Sequence, residues 1–279
     1  LGKLGSPMAA CFAAKGFTTV GVDLDPAKVE ALNAGRAPVF EPQLQEMIDR
    51  GRANLRATQS IEEAVLASDI TFVIVPTPSD ADGRFSLKAS IAAFDAIGKA
   101  IAKKISYHLV VMTSTVMPGA TSGELLPVLQ SASGKQVGGL DLGLCYSPEF
   151  IALGSVIYNF LNPDFILIGE SDAKAGALLE QVYQRVCDNQ HPTARMNFVN
   201  AELTKLSVNT FVTTKITFAN MLARICENLP DADAAQFFQD LLHQLGDTLD
   251  DGDLSRVAEH VFTWQAQAYA GAGNWRYPE

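Results

Sequence analysis

Over its first two-thirds the chain alternates short β-branched and aliphatic runs, at 18–23, 54–57, 70–75, 108–113, 142–146 and 165–168, with longer amphipathic ones. The amphipathic runs fall at 8–15, 26–34, 43–49, 61–67, 87–103, 120–129 and 173–186. This alternation leaves few folds open. Continuous aliphatic strands are buried on both faces, and strands that each lead into a helix are joined by crossovers, so the expected product is a parallel sheet with helices on both sides. After Val199 the strand signal stops. A long helix capped by Asn200 is expected to run towards Glu227 until Asn228-Leu-Pro230 breaks it, with further helical pattern at 236–244 and 254–269. The chain therefore reads as an α/β domain over 1–195 and an all-helical domain over 196–279, and its 279 residues suffice for two cores.

Several of the expected strands end in polar or turn residues, as at Pro76-Thr-Pro-Ser79 and Ser114-Thr-Val-Met-Pro-Gly119. Ligands of open α/β sheets collect at those carboxyl ends. At the other end of the sequence, Leu1-Gly-Lys-Leu-Gly5 leads into an apolar helix and then a strand ending at Asp23. This is the pattern of a dinucleotide fingerprint in which Gly2 and Gly5 are the second and third glycines, the first glycine and first strand lying ahead of Leu1. The sequence thus reads as an N-terminally clipped, Rossmann-like doubly wound sheet. The second glycine admits backbone close to a pyrophosphate, the third lets helix pack on sheet, and the helix N-terminus supplies N–H groups. Two glycines are a weak signal for which a surface turn is the plain alternative. Asp23 strengthens it, because a carboxylate there accepts ribose hydroxyls and repels a 2′-phosphate, favouring NAD over NADP.

Charge and composition exclude other classes. A net charge of −10 and a pI near 4.9 argue against nucleic-acid or anionic-membrane partners. No apolar run approaches the roughly 20 residues needed to span a bilayer. Cys11, Cys145, Cys187 and Cys226 lie far apart, without the spacing of a zinc or redox site, so no metal is expected and reduced thiols in the cytoplasm are the default.

The chemistry centres on the long helix. Lys205 and Asn209 stand one turn apart on one face, where an ammonium and a carboxamide can address a single oxygen. A snorkelling lysine on an amphipathic helix is the plain alternative. Thr115 and Glu149 each follow a strand and so fall at the ligand-bearing edge, although loop threonines and glutamates are more often caps or solvated. Together these residues suit hydride transfer from an alcohol: lysine stabilises the developing alkoxide and a carboxylate handles the proton through a water.

The linked stretches Asp23-Leu-Asp-Pro-Ala-Lys-Val29, Gly35-Arg-Ala-Pro-Val-Phe-Glu-Pro42, Val75-Pro-Thr-Pro78, Ser114-Thr-Val-Met-Pro-Gly119, Ser147-Pro-Glu-Phe150 and Ala201-Glu-Leu-Thr-Lys-Leu-Ser-Val-Asn-Thr-Phe211 occur in the order seen in one family. The chain resembles the UDP-glucose/GDP-mannose dehydrogenases, which oxidise the C6 hydroxyl of a nucleotide sugar to the uronate with two NAD, supplying polysaccharide precursors. The resemblance covers about residues 1–230. It implies that Asp23 and Lys28 hold the adenosine ribose and that Thr77 and Thr115 line the nicotinamide side. It also implies that Glu149 is the catalytic glutamate, Lys205 the oxyanion-stabilising lysine and Asn209 an organiser of that site. The helical domain corresponds to the family's central, dimerisation domain, so a homodimer is implied.

Three departures accompany the resemblance. The leading strand and glycine are not in the sequence; Leu153 stands where the family has a second glutamate; and beyond about Asp233 neither the Cys-Phe-Pro nucleophile segment nor the C-terminal UDP-binding half is found. Without that thiol the second oxidation has no covalent route, so an incomplete or inactive enzyme is expected. A non-catalytic NAD-binding or dimerisation module is the alternative. A two-electron β-hydroxyacid dehydrogenase shares the general plan, but the Ser114 and Pro148-Glu149 motifs fit it poorly.

Overall fold

The computed structural model describes residues 1–151, 154–233 and 236–237; Leu153 and the helical runs expected beyond 237 lie outside the described residues. The strands are β1 (Thr19–Val22), β2 (Leu55–Thr58), β3 (Ile70–Val73), β4 (His108–Met112), β5 (Leu142–Tyr146), β6 (Ile166–Glu170) and β7 (Thr193–Met196). The helices are α1 (Gly5–Ala14), α2 (Pro26–Asn33), α3 (Leu44–Arg50), α4 (Ile61–Leu66), α5 (Lys88–Ile101), α6 (Leu126–Ser133), α7 (Val156–Leu161), α8 (Ala173–Val186) and α9 (Phe198–Glu227). A π-helical turn, Thr121–Leu125, precedes α6 where one continuous helix is expected.

The expected α/β plan holds, with two refinements. The strands form two sheets, a parallel β1-β2 pair and a five-stranded sheet ordered β3-β4-β5-β6-β7. Among the described residues, β1 and β3 share no ladder and no common neighbour. The second refinement is that β6 runs antiparallel to β5, pairing only Cys145 with Glu170 and Tyr146 with Gly169. Both partners meet there by their carboxyl ends, so β6 begins beyond the edge of the sheet, beside the segment that leaves β5. That reversal shapes the site.

Core formation follows the strand period. In β4, Leu109 and Val111 face one apolar cluster, with Phe12, Phe160 and Tyr183, while Val110 and Met112 face the other, with Phe94, Leu125 and Tyr146. β4 and β5 are buried along their whole lengths, as strands covered on both faces must be. Helix α2 starts where Pro26 takes the first position and Asp25 accepts from the Ala27 N–H, and α8 where Asp172 accepts from Lys174 and Ala175. The cap of α9 is Asn197 rather than Asn200, because its Oδ1 accepts the Asn200 N–H at 2.9 Å.

By compactness the chain divides into a unit Leu1–Leu206 and a second unit that begins at Ser207. Helix α9 contributes to both. None of the described helices is long and apolar enough to cross a membrane.

Candidate functional site

The nucleotide end consists of the first residues, α1 and the end of β1. A Cβ added at Gly2 would meet nothing within 4 Å, so the backbone there is open to close approach. Helix α1 starts without a side-chain cap; the Ser6 N–H donates to the Gly2 carbonyl at 3.1 Å and Pro7 has no N–H, which leaves the Gly5 N–H of the first turn for an anion. A Cβ at Gly5 likewise meets nothing within 4 Å. Asp23 sits at the end of β1 with Lys28 Nζ at 3.2 Å from its Oδ2. Asp23 Oδ1 also accepts the Asp25 N–H at 2.9 Å.

The loops after β3 and β4 are braced against each other. Ser114 Oγ accepts the Val75 N–H at 2.9 Å and donates to the Val75 carbonyl at 2.7 Å, while Thr77 Oγ1 donates to the Thr115 carbonyl at 2.9 Å. Thr77 and Thr115 are thus brought together at the carboxyl edge. The turn that follows is held from α9: the buried Glu202 carboxylate accepts the Gly119 N–H at 2.6 Å and the Thr121 N–H at 2.8 Å. Gly119 takes a φ of 93°, a conformation that only glycine adopts readily.

Phe198, Ala201, Glu202 and Lys205 form the buried stripe of α9, at the spacing of one helical face. One turn beyond Glu202, Lys205 donates from Nζ to the Glu149 carbonyl at 2.6 Å, and its ammonium lies 4.2 Å from the centre of the Phe150 ring. Burial pulls the Lys205 pKa down to about 8, against the opposing charge of Glu149. The half-buried Glu149 carboxyl is pushed up to about 7 by burial, against the Tyr183 hydroxyl, which donates to Oε1 at 3.1 Å, and the Lys205 charge. Tyr183 in turn meets Ser147 Oγ at 3.0 Å. A small cavity of ≈ 40 Å³ lies here, lined by Glu149, Tyr183 and the start of β6, room for roughly one or two waters. Asn209, by contrast, belongs to the second unit and is exposed, and its carbonyl accepts from Thr213 Oγ1 at 2.9 Å.

Residues 1–187 match the family described as "UDP-glucose/GDP-mannose dehydrogenase family, NAD binding domain", and residues 199–242 match that family's central domain. The chain belongs to the UDP-glucose/GDP-mannose dehydrogenase family. It is similar to a UDP-glucose 6-dehydrogenase of Haloferax volcanii, 39% identical over 230 residues that make up 81% of this chain and 53% of that one. A GDP-mannose 6-dehydrogenase of Pseudomonas aeruginosa is 34% identical over 81% of this chain and 52% of its own length. Among solved structures, a ternary complex of GDP-mannose dehydrogenase from Pseudomonas aeruginosa superposes with a TM-score of 0.82 at 34% identity, over 88% of this chain and 55% of the other. The chain spans about half the length of the curated relatives it matches.

Within this dehydrogenase family domain, sequence reasoning located Lys205 and Glu149 but missed four residues that hold the loops around them. Tyr183 and Ser147 bind the Glu149 side chain or its support, and Glu202 fixes the turn after Thr115. Glu41 is the fourth: it accepts from the Val156 N–H at 2.9 Å and so anchors the far end of the loop after Glu149. Only Glu202 left a usable trace, since its spacing from Lys205 places both on one helical face.

Proposed function

We propose that the chain carries the NAD-dependent alcohol chemistry of a nucleotide-sugar 6-dehydrogenase, acting on the C6 hydroxyl of a UDP- or GDP-sugar on the way to the uronate. The observation that carries this reading is the junction of Lys205 with Glu149 at the carboxyl edge, where burial leaves a lysine still cationic at neutral pH beside a carboxyl poised near 7.

The open backbone at Gly2, the Gly5 N–H at the uncapped start of α1 and Asp23 suit a dinucleotide: close approach and an N–H for its pyrophosphate and a carboxylate for its ribose, assisted by Lys28. NAD, when bound, supplies the hydride acceptor. Thr77 and Thr115, fixed to each other, border the side where the nicotinamide belongs. Lys205 has three N–H donors; the Glu149 carbonyl occupies one, leaving others to stabilise an alkoxide oxygen. Glu149 takes up the hydroxyl proton, directly or through a water in the adjoining cavity. Asn209 is assigned the organising role that the family resemblance gives it.

The residues of this sequence support the first, alcohol-to-aldehyde oxidation. A covalent second step requires a thiolate, whereas burial pushes the Cys11 and Cys187 thiols up to about 12, raises Cys145 as well, and Cys226 is buried. The second reading is a non-catalytic NAD-binding module, in which the same fold holds the dinucleotide without turnover. Four free thiols fit a reducing cytoplasmic setting, and the exposed Phe211, Phe218 and Ile225 of α9 fit association of two copies.

Calorimetry with NAD is expected to show binding that Asp23→Ala weakens about tenfold, in line with a lost charge-assisted hydrogen bond. With UDP-glucose or GDP-mannose added, reduced nicotinamide should absorb at about 340 nm, and Lys205→Ala should lower the rate by about 10³-fold or more. Absence of NAD binding overturns both readings; binding without turnover across a panel of nucleotide sugars overturns the first and leaves the second.

A further inference from the structure

We propose that Tyr183 is a positioning residue for Glu149: its buried hydroxyl, held by Ser147, occupies Oε1 of the carboxylate and leaves Oε2 as the oxygen that exchanges the proton. The inference rests on the reading of Glu149 as the proton carrier and adds how it is aimed.

The geometry fixes the direction of the chain of hydrogen bonds. Tyr183 lies on the buried stripe of α8 with Ala175, Leu179, Val182 and Val186, and is only 1% exposed. Its hydroxyl meets Ser147 Oγ at 3.0 Å and Glu149 Oε1 at 3.1 Å. A phenol has one proton to give, and an ionised carboxylate can only accept; Tyr183 therefore donates to Glu149, and Ser147 donates to Tyr183. Burial and the neighbouring Glu149 charge raise the Tyr183 pKa well above its ordinary value, so it stays a donor throughout the range in which Glu149 titrates. Among the described residues, no hydrogen bond reaches Oε2. The two ends of this relay come from one short segment at the edge of the sheet, and the middle comes from α8, so a rotation of the Glu149 side chain breaks it.

Other titratable groups around the carboxyl are few. Lys205 faces it from α9, Cys187 lies near it just beyond α8, and Asp164 lines the same cavity before β6. None of these three donates to the carboxylate; among the described residues only Tyr183 does.

The test uses the full chain labelled with ¹³C at glutamate carboxyls, the Glu149 resonance being assigned by its loss in Glu149→Gln. Tyr183→Phe keeps the ring and removes the donor. It is expected to raise the Glu149 midpoint by about one pH unit, a roughly tenfold change in the ionised fraction between the two midpoints. Ser147→Ala, which removes only the support, should move it less in the same direction. An unmoved Glu149 midpoint in Tyr183→Phe with an unchanged melting temperature overturns the proposal. Should Tyr183→Phe fail to fold, an unmoved midpoint in Ser147→Ala overturns it equally. The underlying reading fails by a different result: turnover that survives intact in Glu149→Gln, whatever the titration shows.

Discussion

Glu149 and Lys205 illustrate how a site on this fold sets protonation states by burial opposed by a partner. Glu149 has its folded pKa raised to about 7 from 4.5, so its contribution to stability is fully present below about 4.5 and is lost as pH rises through about 7. Lys205 is depressed to about 8 from 10.5, so its contribution is present above about 10.5 and is lost as pH falls through about 8. Between about 7 and 8 both groups are charged and both burdens on stability are in force. Chemistry and stability therefore pull in opposite directions at this pair. Replacing Glu149 by Gln keeps an acceptor for Tyr183 and removes the ionisation. The variant should unfold at the same temperature as the parent near pH 4, then gain about 1–2 kcal/mol over it as pH rises past 7, read by thermal melts across that range. A gain independent of pH would refute the assignment. Both members of the pair were legible in the sequence, because lysine on an apolar helix and glutamate after Ser-Pro are unusual residues for their places. Tyr183 was not, since a tyrosine on the buried stripe of a helix looks like any other core aromatic until its hydroxyl is seen to have a partner.

At the scale of elements, α9 organises the edge of the sheet. Successive turns of this helix deliver Glu202 to the turn after Thr115 and Lys205 to the segment after β5, so one element sets the separation of two loops at the carboxyl edge of the sheet. Glu202→Ala leaves the Gly119 and Thr121 N–H groups without their acceptor, in a place where the carboxylate was fully buried. The expected cost is about 2–4 kcal/mol, seen as a lower denaturant midpoint with an unchanged m-value. Glu202→Gln, which can still accept from one N–H, should lose less. Equal stability of all three proteins would show that the turn holds itself. The element pattern itself was largely readable, because aliphatic runs and amphipathic helices have different periods. The short α7 and β7 were not anticipated; β7, Thr193-Ala-Arg-Met196, carries no continuous aliphatic run to mark it. The π-helical turn before α6 was likewise invisible, since it changes hydrogen bonding without changing the hydrophobic pattern.

For the whole molecule, sequence reasoning conveyed the alternation of strand and helix but not how the strands are grouped. Pairing depends on neighbours in space, and the reversal of β6 leaves no periodic trace. The reversal nevertheless decides where the site lies, because it places the start of β6 against Glu149 and closes the small cavity there. The second unit raises a separate question of assembly. On α9, Phe211, Phe218 and Ile225 recur every seven residues and are 59%, 52% and 49% exposed, with Met221 on the same helix and Leu229 just beyond its end also exposed. A stripe of this kind on one helical face is what a coiled-coil-like contact buries, and large apolar side chains so aligned are costly to leave in water. Two copies joined through α9 should give, at sedimentation equilibrium, twice the 29.9 kDa mass of the chain. Substituting Asp for both Phe218 and Ile225 sets charges into that contact and should return the mass to that of one chain, while Asp23 and Lys205 remain untouched. A parent protein that sediments as a single chain at micromolar concentration, or a double variant that remains paired, would rule out this face as the contact.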